Sequence, residues 1–242
     1  MKAEEIYVTI YPKHEGLIRI LQRYGFNEEG KKGEELVLVK NMKILTGDIL
    51  KDFPLLTTKD KRKFLLSIYP KYHTKMFPDS ILRNEESKKY ELVKDVSYTN
   101  SIHKVYLCFM SDTAKLQRGD IIAIYRTKDD KGSARYRSVI TSICQIEEAK
   151  TNKDFATVED FLAYTNFYSI FDSEELKQWY QQKNCYILKM TYNIALTKRV
   201  TNGYLVDNLN MSPKYWGFFQ LTDEQFDAIL KKGEVDEGVI ID

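Results

Sequence analysis

Apolar residues near the start of the chain follow first a strand pattern and then a helix pattern. Residues 5–11 combine β-branched and aromatic side chains and stop at Pro12, which predicts a β-strand. Residues 14–24 carry apolar side chains three and four positions apart, which predicts a helix that ends at Gly25. Residues 35–40 predict a second strand after a glycine-rich, charged hairpin turn. The chain therefore begins with a predicted β-α-β unit of about 40 residues, which is too small to be stable alone.

The stretch that follows lacks a regular apolar pattern. Residues 41–96 hold three of the five prolines and many charges around one apolar segment, residues 64–68. We interpret this stretch as a connecting region that packs on a neighbour and ends in a polar linker near residues 84–94. The predicted domains are accordingly residues 1–42, the proline-containing connecting region 43–96, and a last domain over 97–242.

The last domain has mainly the pattern of a β-protein. Apolar runs separated by turn residues predict five strands, at residues 105–110, 121–125, 135–146, 186–192 and 215–221. Three inserted helices are predicted at residues 158–164, 173–180 and 226–231. Asp172 supplies an N-cap for the second helix, and Thr222 with Gln225 has the spacing of a capping box for the third. The predicted fold class is therefore α+β.

Composition places the chain among globular proteins. Hydrophobic residues make up 43% and charged residues 30% of its 242 residues, so a sizeable core is expected. No apolar run is long enough for a transmembrane helix, and the first residues lack the apolar core of a signal peptide. The net charge of +2 is unevenly spread: residues 97–150 hold nine basic and six acidic residues, whereas residues 151–242 hold nine and fourteen. This distribution permits a polyanion-binding face on one side.

Cysteine and histidine form no metal or disulfide pattern. Cys108, Cys144 and Cys185 are widely spaced, no Cys-x-x-Cys pair occurs, and the chain has three histidines. We therefore expect no metal site, and we interpret the cysteines as buried thiols of a cytoplasmic protein. His73 and Asp79 could form an acid–base pair. Because no nucleophile lies beside them in the sequence, docking of the linker is the alternative.

Residues 126–137 combine basic side chains with a tyrosine, as nucleic-acid-binding surfaces do. Five of these residues are basic and two are acidic. The alternative is a charged β-hairpin whose arginines keep the protein soluble. The candidate nucleic-acid contacts in and beside this segment are Tyr125, Arg126, Arg135, Tyr136 and Arg137.

A family resemblance concerns the start of the chain. Residues 6–10, residues 17–26 with their Tyr-Gly-Phe ending, and residues 36–40 together resemble the end of a GNAT acetyltransferase domain. That family binds acetyl-CoA through a Q/R-x-x-G-x-G/A loop before a helix, whereas residues 29–33 lie in a predicted hairpin. The resemblance implies a remnant without its cofactor site, so no cofactor is expected. A sheet cut from a larger domain exposes an unpaired edge, so a homodimer or a partner chain is expected there.

A second resemblance concerns residues 100–242. It is carried by residues 116–126 with their Gly-Asp turn, by residues 137–147, and by residues 216–226. With the helical insertion between them, these segments resemble in their order the PUA-like superfamily, which includes the PUA, ASCH, EVE and YTH domains. The resemblance implies a small β-barrel that binds RNA or DNA. In EVE and YTH members, it implies a pocket for one modified base.

The resemblance also implies where a base would lie. Related domains place polar residues at the mouth of the first strand, where this chain has Asn100, Ser101 and Lys104. Tyr192 ends a predicted strand and could line the pocket, whereas Trp216 could face a base or close the core. Aromatic walls suit this task because stacking contributes about 1–3 kcal/mol per base.

Three alternatives to a nucleic-acid-binding protein without catalysis stay open. Some ASCH-type domains hydrolyse acylated nucleosides with a Lys, a Glu and a Thr, but Lys104, Thr141 and Glu147 do not follow that family's order. Acetyl transfer that depends on a partner chain is the second alternative, and a protein-interaction module is the third. We expect recognition of RNA or of a modified base rather than catalysis.

Overall fold

The computed structural model describes residues 4–80, 101–236 and 238–242. Contacts divide the chain into two compact units, Lys61–Val235 and a smaller one formed by Met1–Asp60 with Asp236–Asp242. We call them the large unit and the small unit. The predicted boundary near residue 96 lies outside the described residues.

The small unit is a three-stranded antiparallel sheet with two helices. Its elements are β1 (Glu5–Ile10), α1 (Glu15–Arg23), β2 (Asn27–Lys32), β3 (Glu35–Asn41) and α2 (Ile49–Asp52), with strand order β1-β3-β2. The predicted first strand, helix and second strand are confirmed, whereas the charged turn proves to contain strand β2. Gly25 has a φ of +86°, and a Cβ there would lie 2.3 Å from the Lys51 carbonyl oxygen, so only glycine fits after α1.

The large unit is built on a six-stranded mixed sheet. Its strands are β4 (Lys63–Ile68), β5 (His103–Cys108), β6 (Ile121–Arg126), β7 (Val139–Thr151), β8 (Tyr186–Thr201) and β9 (Phe218–Leu221). The order across the sheet is β5-β8-β7-β6-β4-β9, with only the β4–β6 pair parallel. Its helices are α3 (Pro70–Met76), α4 (Ala134–Arg137), α5 (Val158–Thr165), α6 (Ser173–Tyr180), α7 (Asn202–Leu209) and α8 (Asp223–Lys232). None of these described helices combines the length and apolar character needed to cross a membrane.

Strand β4 corrects the interpretation of residues 64–68 as part of a connecting region. The strand lies between β6 and β9, and Phe64, Leu65 and Leu66 are fully buried. A strand covered on both faces has a continuous apolar run instead of an alternating one, so its pattern resembles that of an isolated docking segment.

Two predicted strands begin later than expected. Residues 134–137 form the short helix α4, whose first turn is capped because the Ser133 hydroxyl accepts a hydrogen bond from the Arg135 N–H. The strand predicted to begin at residue 135 therefore begins at Val139 and continues to Thr151. The last predicted strand begins at Phe218 instead of residue 215.

The Gly-Asp turn before β6 is present and has a clear physical cause. Gly119 has a φ of +94°, which favours glycine. The Asp120 carboxylate accepts a hydrogen bond from the Gln117 N–H and forms two contacts with the Arg62 guanidinium, at 2.9 and 2.5 Å. The turn thereby fixes the start of β6 next to β4.

The sheet is curled, but among the described residues its edge strands β5 and β9 do not pair with each other. Register shifts along β7 at Ile140/Ser142, Ile143/Cys144 and Ile146/Glu148 mark bulges, and bulges bend a strand. The inner face carries a continuous apolar core, to which α5 and α6 contribute Phe161 and Leu176. The fold is thus α+β as predicted, with an open curled sheet where a closed barrel was expected.

Candidate nucleic-acid interface

A cavity of about 700 Å³ opens in the large unit where the curl of the sheet brings its two edges together. One side comes from the end of β5 and the residues after it, 106–110. The other side comes from residues 215–217, just before β9. The wall is completed by Ser67 and Tyr69 at the end of β4, Lys71 and Tyr72 of α3, Thr127 after β6, and Trp179 of α6. We call this space the aromatic cavity.

Seven aromatic side chains line the aromatic cavity. Three of them are more than half exposed at its rim: Tyr69 at 64%, Phe109 at 58% and Tyr215 at 66%. Tyr106, at 5%, is buried. The complete aromatic set is Tyr69, Tyr72, Tyr106, Phe109, Trp179, Tyr215 and Trp216.

Both tryptophans of the chain belong to this wall. Trp179 stacks on Phe109 with ring centroids 4.5 Å apart and an angle of 22° between the planes. Trp216 stacks on the buried Tyr125 with ring centroids 5.4 Å apart. The Ser67 hydroxyl donates a hydrogen bond to the backbone carbonyl of Trp216. Tyr125 therefore lies behind Trp216 and supports it. Stacked rings on an anchored backbone hold their orientation and present a fixed surface to a ligand.

The cavity also has a few polar groups that could orient a ligand. Among the described residues, the buried Thr127 hydroxyl has no hydrogen-bond partner. Burial raises the pKa of Tyr106, and the neighbouring Cys108 and Tyr72 raise it further, so its hydroxyl keeps its proton. The described lining residues include one lysine, Lys71, and no carboxylate. The site thus suits a neutral aromatic ring with an attached anionic group.

The arginines predicted to form a basic rim have ion-pair partners. Arg135 forms a two-point ion pair with Asp207, and Arg137 forms one with Asp129. The hydrogen bond from Arg137 holds the pKa of Asp129 well below its usual range. Tyr136, between them on α4, is 72% exposed. These residues share one helical turn instead of a strand, and none of them lines the cavity.

Arg126 has a different environment from the other predicted rim residues. It ends β6 with a side chain that is 1% exposed, so it lies in the interior instead of on the predicted rim. A buried guanidinium contributes to the field around its neighbours, and Arg126 is one cause of the lowered pKa of His73.

The predicted polar group at the first strand lies mostly in the interior. Asn100 lies outside the described residues, and the Ser101 hydroxyl accepts a hydrogen bond from the His103 N–H at 3.0 Å. Lys104 is 1% exposed, with its Nζ 5.9 Å from the centre of the Tyr192 ring. Lys104 and Tyr192 are thus brought together, and neither lines the cavity.

Tyr192 ends a chain of buried hydrogen bonds, which we call the buried polar chain. His73 Nε2 lies 2.8 Å from the Thr141 hydroxyl, which lies 3.1 Å from the Ser142 hydroxyl. Ser142 continues to Ser80 at 2.9 Å, and Ser80 to the Tyr192 hydroxyl at 3.0 Å. Burial lowers the pKa of His73 well below 6.5, with Arg126 and Arg199 adding to the shift. His73 is therefore a neutral core residue; the side chain of Asp79, its predicted partner, lies outside the described part.

The residues of the hydrolase alternative do not assemble. Glu147 contacts His103 Nδ1 at 2.5 Å. His103 and Lys104 are consecutive on β5, so their side chains point to opposite faces. Thr141 belongs to the buried polar chain. Glu147, which contacts His103, thus lies on the opposite face of β5 from Lys104, so the three side chains do not meet at one point.

The three cysteines are buried, free thiols, as predicted, and burial raises the pKa of Cys185 to about 12. No group of three or more His, Cys, Asp or Glu side chains in the described ranges is arranged to hold a metal ion.

Sequence reasoning missed most of the cavity wall. Tyr69 and Tyr72 lie in the stretch interpreted as a connecting region, and Trp179 lies on the helix predicted at residues 173–180. For Tyr69, Tyr72 and Phe109, the sequence signal is that the segment 69–72 follows an apolar run and the segment 108–110 ends one. Residues that end strands lie at a sheet edge, where binding sites concentrate.

Comparison with known structures gives weak similarities. An ASCH domain from Zymomonas mobilis aligns at 8% identity and a TM-score of 0.45, covering 71% of this chain and 96% of that one. Human THYN1, in a complex with DNA that contains 5-methylcytosine, aligns at 10% identity and a TM-score of 0.39, covering 73% of this chain and 99% of that one. A Pseudomonas putida protein aligns at 11% identity and a TM-score of 0.37, covering 71% of this chain and 99% of that one. No family model and no curated protein matches the chain.

These similarities assign no activity to the chain, because every TM-score is below 0.5 and every identity is far below 25%. Structures of an ASCH domain and of THYN1 are among these neighbours. The GNAT-like remnant finds no support among them and stays a prediction.

Proposed function

We propose that the large unit binds a nucleic acid and holds one base in the aromatic cavity. The observation that carries the proposal is a cavity of about 700 Å³ with seven aromatic side chains and no carboxylate among its described lining residues. A volume of this size falls within the range of about 300–1,000 Å³ typical of ligand pockets. Each base that stacks on an aromatic ring contributes about 1–3 kcal/mol.

A methylated base is the preferred occupant. Adding a methyl group enlarges the apolar surface of the base, and its burial among aromatic rings contributes about 0.8 kcal/mol per carbon. The Tyr106 and Thr127 hydroxyls can then hydrogen-bond the polar edge of the base. Discrimination between bases would come from these two groups, because stacking alone tolerates every base.

Phosphates would be bound outside the cavity. The Lys71 ammonium lies 4.6 Å from the centre of the Tyr72 ring, at the cavity wall. Lys128 and Lys131 are exposed on the loop that leaves β6 directly after Thr127. Arg135 and Arg137 would bind phosphate by exchanging their aspartate partners for it. Exposed cations of this kind supply salt-dependent affinity.

The proposal is tested with two phenylalanines of similar exposure. Phe109 lines the cavity and is 58% exposed, whereas Phe167 is 62% exposed and lies outside it. We expect Phe109→Ala to weaken binding of short nucleic acids about tenfold, since it removes one stacking partner. Phe167→Ala should bind like the wild type. Equal effects of the two substitutions, measured by fluorescence anisotropy, would exclude the cavity as the binding site.

We also propose that the small unit provides a contact with a second copy of the chain or with a partner. β1 pairs only with β3, so its other edge is open among the described strands. Ile6 and Tyr7 on this strand are 39% and 72% exposed. An edge with few charges is a template for further strand pairing.

A further inference from the structure

A second, smaller recess adjoins the aromatic cavity. It has a volume of about 170 Å³ and shares three wall residues with the cavity: Tyr72, Phe109 and Trp179. Its other described lining residues are Phe171, Glu175, Gln178 and Gln182. We call it the side recess. The stacked Phe109–Trp179 pair therefore borders both spaces.

The side recess has the size and walls for one aromatic ring system. A cavity of about 150 Å³ in another protein accepts a benzene ring, so about 170 Å³ accommodates a flat ring that is partly open to solvent. Phe171, which lines the same recess, lies 5.3 Å from Trp179 between ring centroids and restricts the movement of the Trp179 ring. A ring that enters the recess thus meets a rigid aromatic wall.

The polar residues of the recess match the edge of a base. Gln178 lies in the last turn of α6 and Gln182 lies two residues after its end. Gln182 Nε2 donates one hydrogen bond to the Gln178 backbone carbonyl at 3.3 Å, which leaves its second N–H and its amide oxygen for a ligand. Glutamine amides pair with base edges in this way. The Glu175 carboxylate, which accepts a hydrogen bond from the Asp172 N–H, disfavours a phosphate in the same space. A base, and not its phosphate, is the fitting occupant.

We propose that the side recess binds a second base of the strand whose first base occupies the aromatic cavity. This inference rests on the function proposed above and adds that the ligand is single-stranded. Two bases that lie against one Phe109–Trp179 wall from separate spaces cannot stay stacked and paired in a duplex. Lys71, whose ammonium lies over the shared Tyr72 ring, is placed to bind the phosphate between them.

The test compares the affinity of the full chain for a mononucleotide, a trinucleotide and a duplex of the same sequence. We expect the trinucleotide to bind about tenfold more tightly than the mononucleotide, the gain from one additional stacked and hydrogen-bonded base. The double variant Gln178→Ala/Gln182→Ala should lose most of this gain and keep the wild-type affinity for the mononucleotide. Gln181→Ala is the matched control, because Gln181 is an exposed glutamine of the same segment outside the recess.

These variants are expected to fold, since the replaced side chains are exposed in the last turn of α6 and just after it. The side recess is excluded if the mononucleotide binds but the trinucleotide gains nothing. It is also excluded if the double variant keeps the gain, or if the duplex binds as tightly as the single strand. In those three cases the aromatic cavity still stands as a base site. If no nucleotide binds at all, both proposals fall together.

Discussion

The buried His73 gives the large unit a defined response to acid. Its pKa in the folded protein lies well below 6.5, because burial and the charges of Arg126 and Arg199 disfavour the protonated ring. In the unfolded chain the ring takes up a proton near pH 6.5. Unfolded molecules therefore bind more protons below this pH, and the stability that neutral His73 contributes is present above pH 6.5 and lost as the pH falls.

We predict that His73 lowers the free energy of unfolding as the pH falls below 6.5. Its contribution to this loss is at most about 1.4 kcal/mol per pH unit. His73→Phe, which keeps an aromatic ring beside Phe77, should show a flatter pH dependence between about pH 6.5 and pH 5. Urea denaturation of both proteins at several pH values measures the difference. Identical pH profiles would show that His73 has the same pKa in the folded and unfolded states, and would contradict the prediction.

A second prediction at this scale concerns the hydroxyl of Thr127. Because this buried hydroxyl has no hydrogen-bond partner among the described residues, Thr127→Val should leave the unfolding free energy unchanged or raise it. Base binding should weaken about tenfold if this hydroxyl contacts the base edge.

The matched control for Thr127 is Thr191→Val. The Thr191 hydroxyl lies 3.3 Å from the Gln145 carbonyl oxygen and 3.0 Å from Asn193 Oδ1. Its removal should lower stability by about 1 kcal/mol. Thermal unfolding together with a binding titration separates the two effects. A Thr127→Val protein that is destabilised but binds normally would contradict the role given to this hydroxyl.

At the scale of elements, local signals in the sequence were sufficient wherever a helix has its own cap. The helix predicted at residues 173–180 coincides with α6, and its start is fixed by the capping box between Asp172 and Glu175. The capping box of Thr222 and Gln225 is likewise confirmed at α8. Such caps involve residues three positions apart, so the sequence contains the whole interaction.

Elements whose conformation depends on distant partners were predicted less well. β4 is a strand because β6 and β9 flank it. Its partners on β6 lie more than fifty residues further along the chain, and those on β9 more than one hundred and fifty. α4 interrupts an apolar alternation that would otherwise continue a strand, with Arg137 tied back to Asp129. Short apolar runs do not distinguish these outcomes by periodicity alone.

The element α4 leads to a prediction about salt dependence. If Arg135 and Arg137 exchange their aspartates for phosphates, Arg135→Ala/Arg137→Ala should weaken binding about equally for all sequences. The plot of the logarithm of the binding constant against the logarithm of the salt concentration should also become less steep. Its slope should shrink in magnitude by about two, one for each lost phosphate contact.

The control for this double variant removes two other cations. Lys31→Ala/Lys32→Ala lies on β2 of the small unit, where both side chains are exposed. Its binding and salt slope should match those of the wild type. An unchanged slope in the Arg135/Arg137 variant would show that the ion pairs of α4 only stabilise the fold.

At the scale of the whole molecule, the candidate site is assembled from segments that are far apart in sequence. The wall of the aromatic cavity combines residues near positions 70, 108, 179 and 216. The sequence predicted that aromatic residues would form a base pocket and offered Trp216 as a residue that could face a base or close the core. It could not indicate Tyr69, Phe109 or Trp179, because only the curl of the sheet brings these residues to the same place.

The small unit leads to a prediction about assembly. Pairing of two β1 strands would cover Ile6 and Tyr7 and satisfy the open backbone edge. We expect a dimer in light scattering that dissociates when Tyr7→Lys places a charge on this edge. The control is Asn27→Lys on β2, which places the same charge on the same face of the sheet as Tyr7 but away from β1. This variant should remain a dimer. A monomeric mass for the wild type would exclude self-pairing and leave a different partner chain.

The most direct test of the central claim uses the two tryptophans, which both lie in the cavity wall. Intrinsic tryptophan fluorescence of the full chain is titrated with short RNA and DNA, with and without methylated bases, at a low and a moderate salt concentration. A base that stacks in the aromatic cavity should quench this emission, more strongly for one methylated base than for its unmodified form, and with weaker affinity at the higher salt. Unchanged emission and no binding even at low salt would contradict the account.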